Sequence, residues 1–371
     1  MSMSKSRLFY IDNLRIFLIG LVVLHHLIIT YGAPGSWFYN ESQADFPSIF
    51  PMALFVATNQ AFFMGMFFFI SAYFILPSLN RKGTKTFAKE RLVRLGIPLL
   101  VFFFLLNPLT IYIRNKYIFE KEDTFFELLK NPDAWGFGPM WFVEALLVFT
   151  GIFLLIRLLK FKIIMKFPEA KNILLFAFLI GLGQFIIRIW LPVGWGSPFT
   201  GFQFPHFLQY IFLFSFGIIA YQNNWMGNIS SKSGWRWFAF AQTLIFIGFP
   251  VLFLLGGAAE NGTDKFMGGF TWQCFSYTTW EQLVGISLII GLFGIFKKRL
   301  NKQGKSGKQL SDSAYGVYVF HTPVLLGISA VFLNFQIPQL LKFIVLAPIA
   351  LVACFFIAWL AKQIPGVKKV L

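Results

Sequence analysis

LRIFLIGLVVLHHL, residues 14–27, is apolar enough to enter a bilayer, yet it carries Arg15 near one end and His25 and His26 near the other. At about 100° and 1.5 Å per residue, the eleven helical steps from Arg15 to His26 bring both side chains within about 20° of one face. They lie about 16 Å apart along it. His25 points about 80° away from the Arg15 direction. An ionisable side chain within a span costs about 2.5–3.5 kcal/mol on insertion scales, so it faces protein or a wet cavity rather than lipid. One helix therefore holds a cation at a membrane surface and an imidazole deep inside.

The rest of the chain fits that setting. Of 371 residues, 57% are hydrophobic and 13% charged, which excludes an ordinary soluble protein. Apolar runs long enough to cross fall near 14–32, 50–77, 93–113, 140–159, 172–191, 206–222, 237–256, 279–296, 313–333 and 342–361. The sixth run is short, which predicts a tilted or broken helix there. The expected fold is all-α, a polytopic membrane protein with about ten transmembrane helices forming a single transmembrane domain over 1–371.

Basic residues test that count. The N-terminal tail, the second, fourth, sixth and eighth loops and the C-terminal tail hold 2, 6, 5, 2, 6 and 3 of them. The alternate loops hold only Arg114, Lys116, Lys121, Lys130 and Lys265; Arg15, Arg188 and Lys342 lie in spans or at their ends. Positive residues face the cytoplasm, so both termini are expected there, in a multi-pass protein of the cell (plasma or inner) membrane. The net charge of +17 is thus an orientation signal with the lipid bilayer as partner, and no nucleic acid is implied. Lys5 and Arg7 before an apolar run imitate a secretory signal. The polar residues within the run and Pro34 after it argue for a retained first span. The 51 Phe residues read as lipid-facing and packing bulk, and Cys274 and Cys354 indicate no disulfide framework. The absence of a clear internal repeat weakens an inverted-repeat transporter reading.

Several polar residues share the bundle. His26, about 18 Å from the inner edge, is the better candidate of the histidine pair, because neutral imidazole accepts a proton from a hydroxyl near neutral pH. In GPMWFVEALL, Trp141 and Glu144 share a face, and Glu144 lies about 6 Å from the outer end. Its carboxylate either orients the imidazole or holds a substrate hydroxyl; the other reading pairs it structurally with Arg188 or Lys342. Trp141 and Arg188 are candidates for acceptor binding. Arg91 and Arg94, in ERLVRLGIP, form a basic cluster at the cytoplasmic mouth; guanidinium forks suit phosphate, although anchoring to anionic lipid explains the neighbouring lysines. SDSAYGVYVFHTP supplies Ser313, Tyr315, Tyr318 and His321, the last about 12 Å from the inner end, between Arg15 and His26 in depth. No phosphate-binding glycine loop, metal-ligand spacing or nucleophile elbow occurs, and adjacent histidines lack the i, i+4 spacing of a helical zinc pair. The uncharged outer loop 192–205 is rich in Gly, Pro and aromatics. It reads as an interfacial belt or as a surface receiving a sugar. The long outer loop near 114–139 is acidic and aromatic.

Taken together, these residues resemble the acyltransferase-3 family of integral membrane acyltransferases over nearly the whole chain. Arg15 and His26 match its basic residue followed ten positions later by His. FFFISAYF, with Ser71 and Tyr73, resembles its second-span turn; ERLVRLGIP resembles its basic stretch before the third span. Trp141 and Phe142 match its Trp-Phe segment, and Ser313 to Pro323 follow its late Ser-Tyr-Gly motif with Ala314 inserted, while Ala72 stands where many members carry Gly. IDNLRIFLIG, GPMWFVEALL and QYIFLFSFGIIAY are most similar to the branch associated with succinylation of periplasmic glucans.

The resemblance implies an enzyme that transfers groups other than aminoacyl groups, with no bound cofactor and acyl-CoA as co-substrate. Arg15, Arg91 and Arg94, with Ser71, Tyr315, Tyr318 and His321, would take the donor from the cytoplasm. His26 and Glu144 would serve an acetyl or succinyl transfer to a hydroxyl of a glycan or other extracytoplasmic acceptor, either directly or through an acyl-imidazole. Any extracytoplasmic hydrolase-like partner would be a separate protein, and a homo-oligomer stays open. The rival class is an exporter or flippase of a glycan or lipid-linked sugar, with His26, Glu144 and Arg188 as its pathway.

Overall fold

Residues 7–45, 47–159, 163–197 and 200–371 are described in a computed structural model. Lys5, Lys160 and Lys162 of the basic loops and Pro198 and Phe199 of the outer loop lie outside the described residues. Ten helices among them are long and apolar enough to cross a membrane. They are α1 Phe9–Thr30, α2 Ile49–Lys82, α3 Thr84–Tyr117, α4 Gly138–Leu159, α5 Ala170–Trp190, α6 Phe204–Gln222, α7 Ser231–Leu255, α8 Trp272–Arg299, α9 Lys305–Val331 and α10 Gln339–Ala361. No strand occurs among the described residues, so this is an all-α polytopic membrane fold.

The helix ends depart from the apolar runs in two places. The predicted loop between the second and third spans is helical apart from Gly83. At 34 residues each, or about 51 Å, α2 and α3 outrun the roughly 20 residues a bilayer needs. They meet at Gly83, whose φ of 77° suits a residue without a Cβ. Likewise α9 begins at Lys305 rather than near 313. Lys, Gln and Arg are good helix formers, and hydropathy registers only the part of a helix that lies in lipid.

The expected break in the sixth span is not there: α6 runs unbroken from Phe204 to Gln222. The irregular helices are α3 and α7, which widen to π turns at Leu92–Gly96, Phe102–Leu106 and Leu244–Gly248. Each widening ends two residues before a proline, namely Pro98, Pro108 and Pro250. A proline ring clashes with the carbonyl four residues back and offers it no N–H, and a wider turn moves that carbonyl aside. Proline position, rather than span length, sets where these helices deform.

Burial sorts the helices. α8 is enclosed along most of its length, whereas α7 and α10 turn most of theirs outward. α8 packs against α7, α5 and α2; α6 lies along α2; and α1 lies against α9, α2 and α10. Small residues permit the closest approaches. A Cβ on Gly285 of α8 would stand 2.0 Å from the Ala61 carbonyl oxygen of α2. Gly285→Ala is accordingly expected to cost about 1–3 kcal/mol by overpacking, read as a lower thermal midpoint in detergent. An unchanged midpoint would show that the two helices do not meet there. Beside this contact Gln209 donates to the Ala61 carbonyl (2.8 Å) and to Gln282 (3.0 Å), and Gln282 donates to Gln184. The amides bind α2, α5, α6 and α8 together in the buried interior.

After α1 the chain folds back rather than leaving the bundle. Glu41 N–H donates to Thr30 O at 2.8 Å and Ala44 N–H to Gly32 O at 3.2 Å. Gly32, at φ 109°, leaves no room for a Cβ, which would lie 2.6 Å from Ala44 N. Lys342 of α10 holds Glu41 at 2.6 Å. This clamp lays Trp37 across the end of α1.

Candidate active site

α1 and α9 start at the same end of the bundle, and their contact determines the site. His26 lies 17 residues after Phe9 and His321 lies 16 after Lys305, or about 26 Å and 24 Å along their helices. They are therefore level. His321 does not lie between Arg15 and His26 in depth, as the shorter apolar run had implied; its Nε2 is 3.1 Å from His26 Nδ1. The error came from starting the ninth helix at 313.

Hydrogen-bond chemistry fixes the protons in this pair. His321 Nδ1 is 2.6 Å from the Tyr318 carbonyl, which can only accept, so Nδ1 carries the hydrogen. In the neutral ring Nε2 is then an acceptor. His26 Nδ1–H donates to it, leaving the lone pair on His26 Nε2. Trp37 stacks on the His26 ring with centroids 3.9 Å apart and 13° between planes. The Tyr318 hydroxyl donates to Pro139 O, tying the pair to the start of α4.

His26 lines a chamber of about 440 Å³ that the loop residues Pro34–Ser36, Val193–Gly194 and Thr263 also line, toward the end opposite the chain termini. Trp141 and Tyr318 line it as well, and so do Val193, Gly194 and Gln203 of the aromatic loop 192–205. His25 also reaches the chamber, its ring 5.0 Å from Phe63.

At the other end, Arg91 Nη2 donates to Ser71 Oγ at 2.9 Å. Arg15, Arg91 and Arg94 are close enough to repel one another, and Tyr315 lies within the field of Arg91 and Arg94. Arg15 covers Phe74 at 5.0 Å and reaches Asp12 at 3.5 Å, but Asp12 also serves Arg7 at 2.6 Å. Arg91 Nε and the Tyr315 hydroxyl are buried with no partner. The cluster thus holds cationic donors in excess of the carboxylate available to them. Between it and the histidines, Tyr315, Tyr318 and His321 succeed one another along α9.

The structure therefore brings together Arg15, Ser71, Arg91, Arg94 and Tyr315 in one basic cluster, and His26, Tyr318, His321 and Trp141 around the chamber. Glu144 joins neither group through a hydrogen bond or ion pair: its Oε2 is buried without a partner. The structural pairing considered for it is also absent, because Lys342 holds Glu41 and Arg188 holds Glu281. Arg188 is completely buried, behind the chamber wall rather than on it.

Three residues of this region are not evident from the apolar runs. Trp37 lies in a loop that only the clamp around Gly32 returns to the bundle. His206 and Glu281 stand at the edges of the runs 206–222 and 279–296, where polar residues are ordinary. α8 begins at Trp272, however, so Glu281 is nine residues into it, or about 14 Å. An intramembrane carboxylate is the signal that could have been used.

The fold and the site define an integral membrane protein whose imidazole lines a chamber, with a basic cluster toward the other end. A family model described as an acyltransferase domain matches residues 8–362, and the chain belongs to this acyltransferase-3 family; it is a multi-pass membrane acyltransferase. Among similar proteins is Glucans biosynthesis protein C of Escherichia coli O1:K1 / APEC, 24% identical over 341 residues, covering 86% of this chain and 82% of the relative. The proteins of that name from Salmonella gallinarum (strain 287/91 / NCTC 13346) and Salmonella enteritidis PT4 (strain P125109) are also 24% identical, each covering 88% of this chain and 84% of the relative. No solved structure matches the chain.

Proposed function

We propose that this protein is an O-acyltransferase of the cell membrane, moving an acetyl or succinyl group from cytoplasmic acyl-CoA to a hydroxyl of an extracytoplasmic glycan. The observation that carries the reading is the tautomer chain: Tyr318 O and His321 leave the lone pair of His26 on Nε2, at a chamber remote from the basic mouth. The glycan acceptor is supported by the name of the relatives, glucans biosynthesis, and by the aromatic and amide lining.

In this mechanism Arg15, Arg91 and Arg94 hold the phosphates of the donor, and the pantetheine arm runs along α1 and α9 toward His26. His26 Nε2 takes the proton of the acceptor hydroxyl as its oxygen attacks the thioester carbonyl. The tetrahedral intermediate collapses, the C–S bond breaks, and the imidazolium returns the proton to the departing thiolate. His321 accepts a stronger hydrogen bond from the cationic ring, and the Trp37 face stabilises the same charge. Glu144 is given no step. The same lone pair, used as a nucleophile, forms an acyl-imidazole instead. Exchange of labelled CoA into acyl-CoA in the absence of acceptor distinguishes that route.

Purified protein in liposomes, supplied with acetyl- or succinyl-CoA and a glucan oligosaccharide, tests the reading by mass spectrometry. The expected product is the oligosaccharide plus one acyl increment. An oligosaccharide that crosses the bilayer with unchanged mass would favour an exporter.

A further inference from the structure

Glu281 of α8 stands behind the chamber wall with both carboxylate oxygens engaged. Oε2 is 2.6 Å from Arg188 Nη2, and Oε1 is 3.0 Å from His206 Nδ1. Arg188 Nη2 also lies 3.0 Å from His206 Nδ1, so the hydrogen on that nitrogen has to be assigned. If Nδ1 accepted from the guanidinium, the buried Oε1 would lose its donor. If Nδ1–H donates to Oε1, both carboxylate oxygens are satisfied. The charges of Arg188 and Glu281 cancel, so the group holds a neutral imidazole with its lone pair on Nε2. His206 is 4% exposed and lines the same chamber as His26. Its Nε2 meets no protein donor, while its ring lies nearly parallel to Tyr210 at 6.3 Å.

We propose that His206 is the second anchor of the acceptor site: with His26 it presents two fixed imidazole lone pairs to one chamber, matched by a polyol offering two hydroxyl donors. This inference rests on the acyl-transfer reading above. One hydroxyl meets His26 and reacts. The other meets His206 and does not, so the His206 contact determines which hydroxyl of the acceptor is acylated. A simple alcohol satisfies one nitrogen and leaves the other desolvated and unpaired, which is how a polar site rejects an analogue lacking one hydroxyl. The chamber is also lined by Trp141 and Tyr277, whose faces suit the C–H surface of a pyranose.

The test measures transfer of labelled acetyl from acetyl-CoA to methyl glucoside and its monodeoxy derivatives. In wild type, one hydroxyl other than the acylated one is expected to matter, its removal raising the acceptor KM about tenfold or more. His206→Phe is expected to raise the KM for methyl glucoside by a similar factor, abolish that discrimination and leave the KM for acetyl-CoA unchanged. His206→Gln keeps an acceptor oxygen and is expected to restore most of the affinity. A folded His206→Phe protein with the wild-type acceptor KM would overturn the proposal. So would a wild-type deoxy series in which only the reacting hydroxyl counts, a result that needs no variant to fold. These outcomes leave the acyl-transfer reading standing, whereas folded wild-type protein that labels no acceptor would remove that reading and this subsite together.

Discussion

Replacing His26 by alanine is expected to lower acyl transfer by about 10²–10⁴-fold while changing the KM for acyl-CoA by no more than about threefold. The size of the loss follows from the one lone pair, His26 Nε2, to which the proton transfer is assigned. Nδ1 of His26 is bound to His321 and one ring face is covered by Trp37, leaving Nε2 as the atom that faces the chamber. Arg15 lies about 16 Å away along α1, and Arg91 and Arg94 cluster with it on α3, so the deletion leaves them in place and the effect falls on kcat. His321→Phe keeps the shape of the neighbour but removes the acceptor that holds Nδ1–H. His26 is then free to adopt the other tautomer, and about a tenfold loss or more in kcat is expected, since the partner of one ring nitrogen decides the protonation of the other. Wild-type rates of transfer in His26→Ala would remove His26 from the mechanism, and wild-type rates in His321→Phe would remove the tautomer chain.

Glu281→Ala is expected to destabilise the folded protein by about 3–5 kcal/mol, because it leaves the fully buried Arg188 charge with no counter-ion. The pair itself need not be a net gain, since two charges lose their hydration on burial. The double replacement Arg188→Met with Glu281→Leu removes both charges and should recover much of the stability while losing the orientation of His206. Thermal unfolding in detergent, with ligand absent, separates the two. If Glu281→Ala unfolds within a degree or two of wild type, Arg188 is not the isolated buried cation described.

The sequence made much of this legible because lipid is a strict solvent. It tolerates few ionisable groups, so Arg15, His26 and Arg188 stood out at once, and apolar length located all ten helices. It could not locate helix ends outside the hydrocarbon, where Lys305–Asp312 and Thr84–Arg91 continue helices on propensity alone. That one uncertainty misplaced His321 in depth and left Glu281 at an apparent span edge, whereas His206, two residues after Phe204, stands at a true helix start. Trp37 was hidden for a different reason: its position depends on Gly32, Glu41 and Lys342, residues from two distant parts of the chain. Glu144 shows the limit of helical spacing, which gave its level but not a partner.

The central claim is that an acyl group enters from the end carrying Arg15, Arg91 and Arg94 and leaves on an acceptor at the end carrying the chamber. Liposomes with the protein in one orientation, the termini facing the lumen, test it directly. Acyl-labelled CoA is sealed inside and a glucan oligosaccharide supplied outside. The expected result is label on the external oligosaccharide with wild type and almost none with His26→Ala. Label that reaches the oligosaccharide only when the donor is supplied from the chamber side would contradict the account.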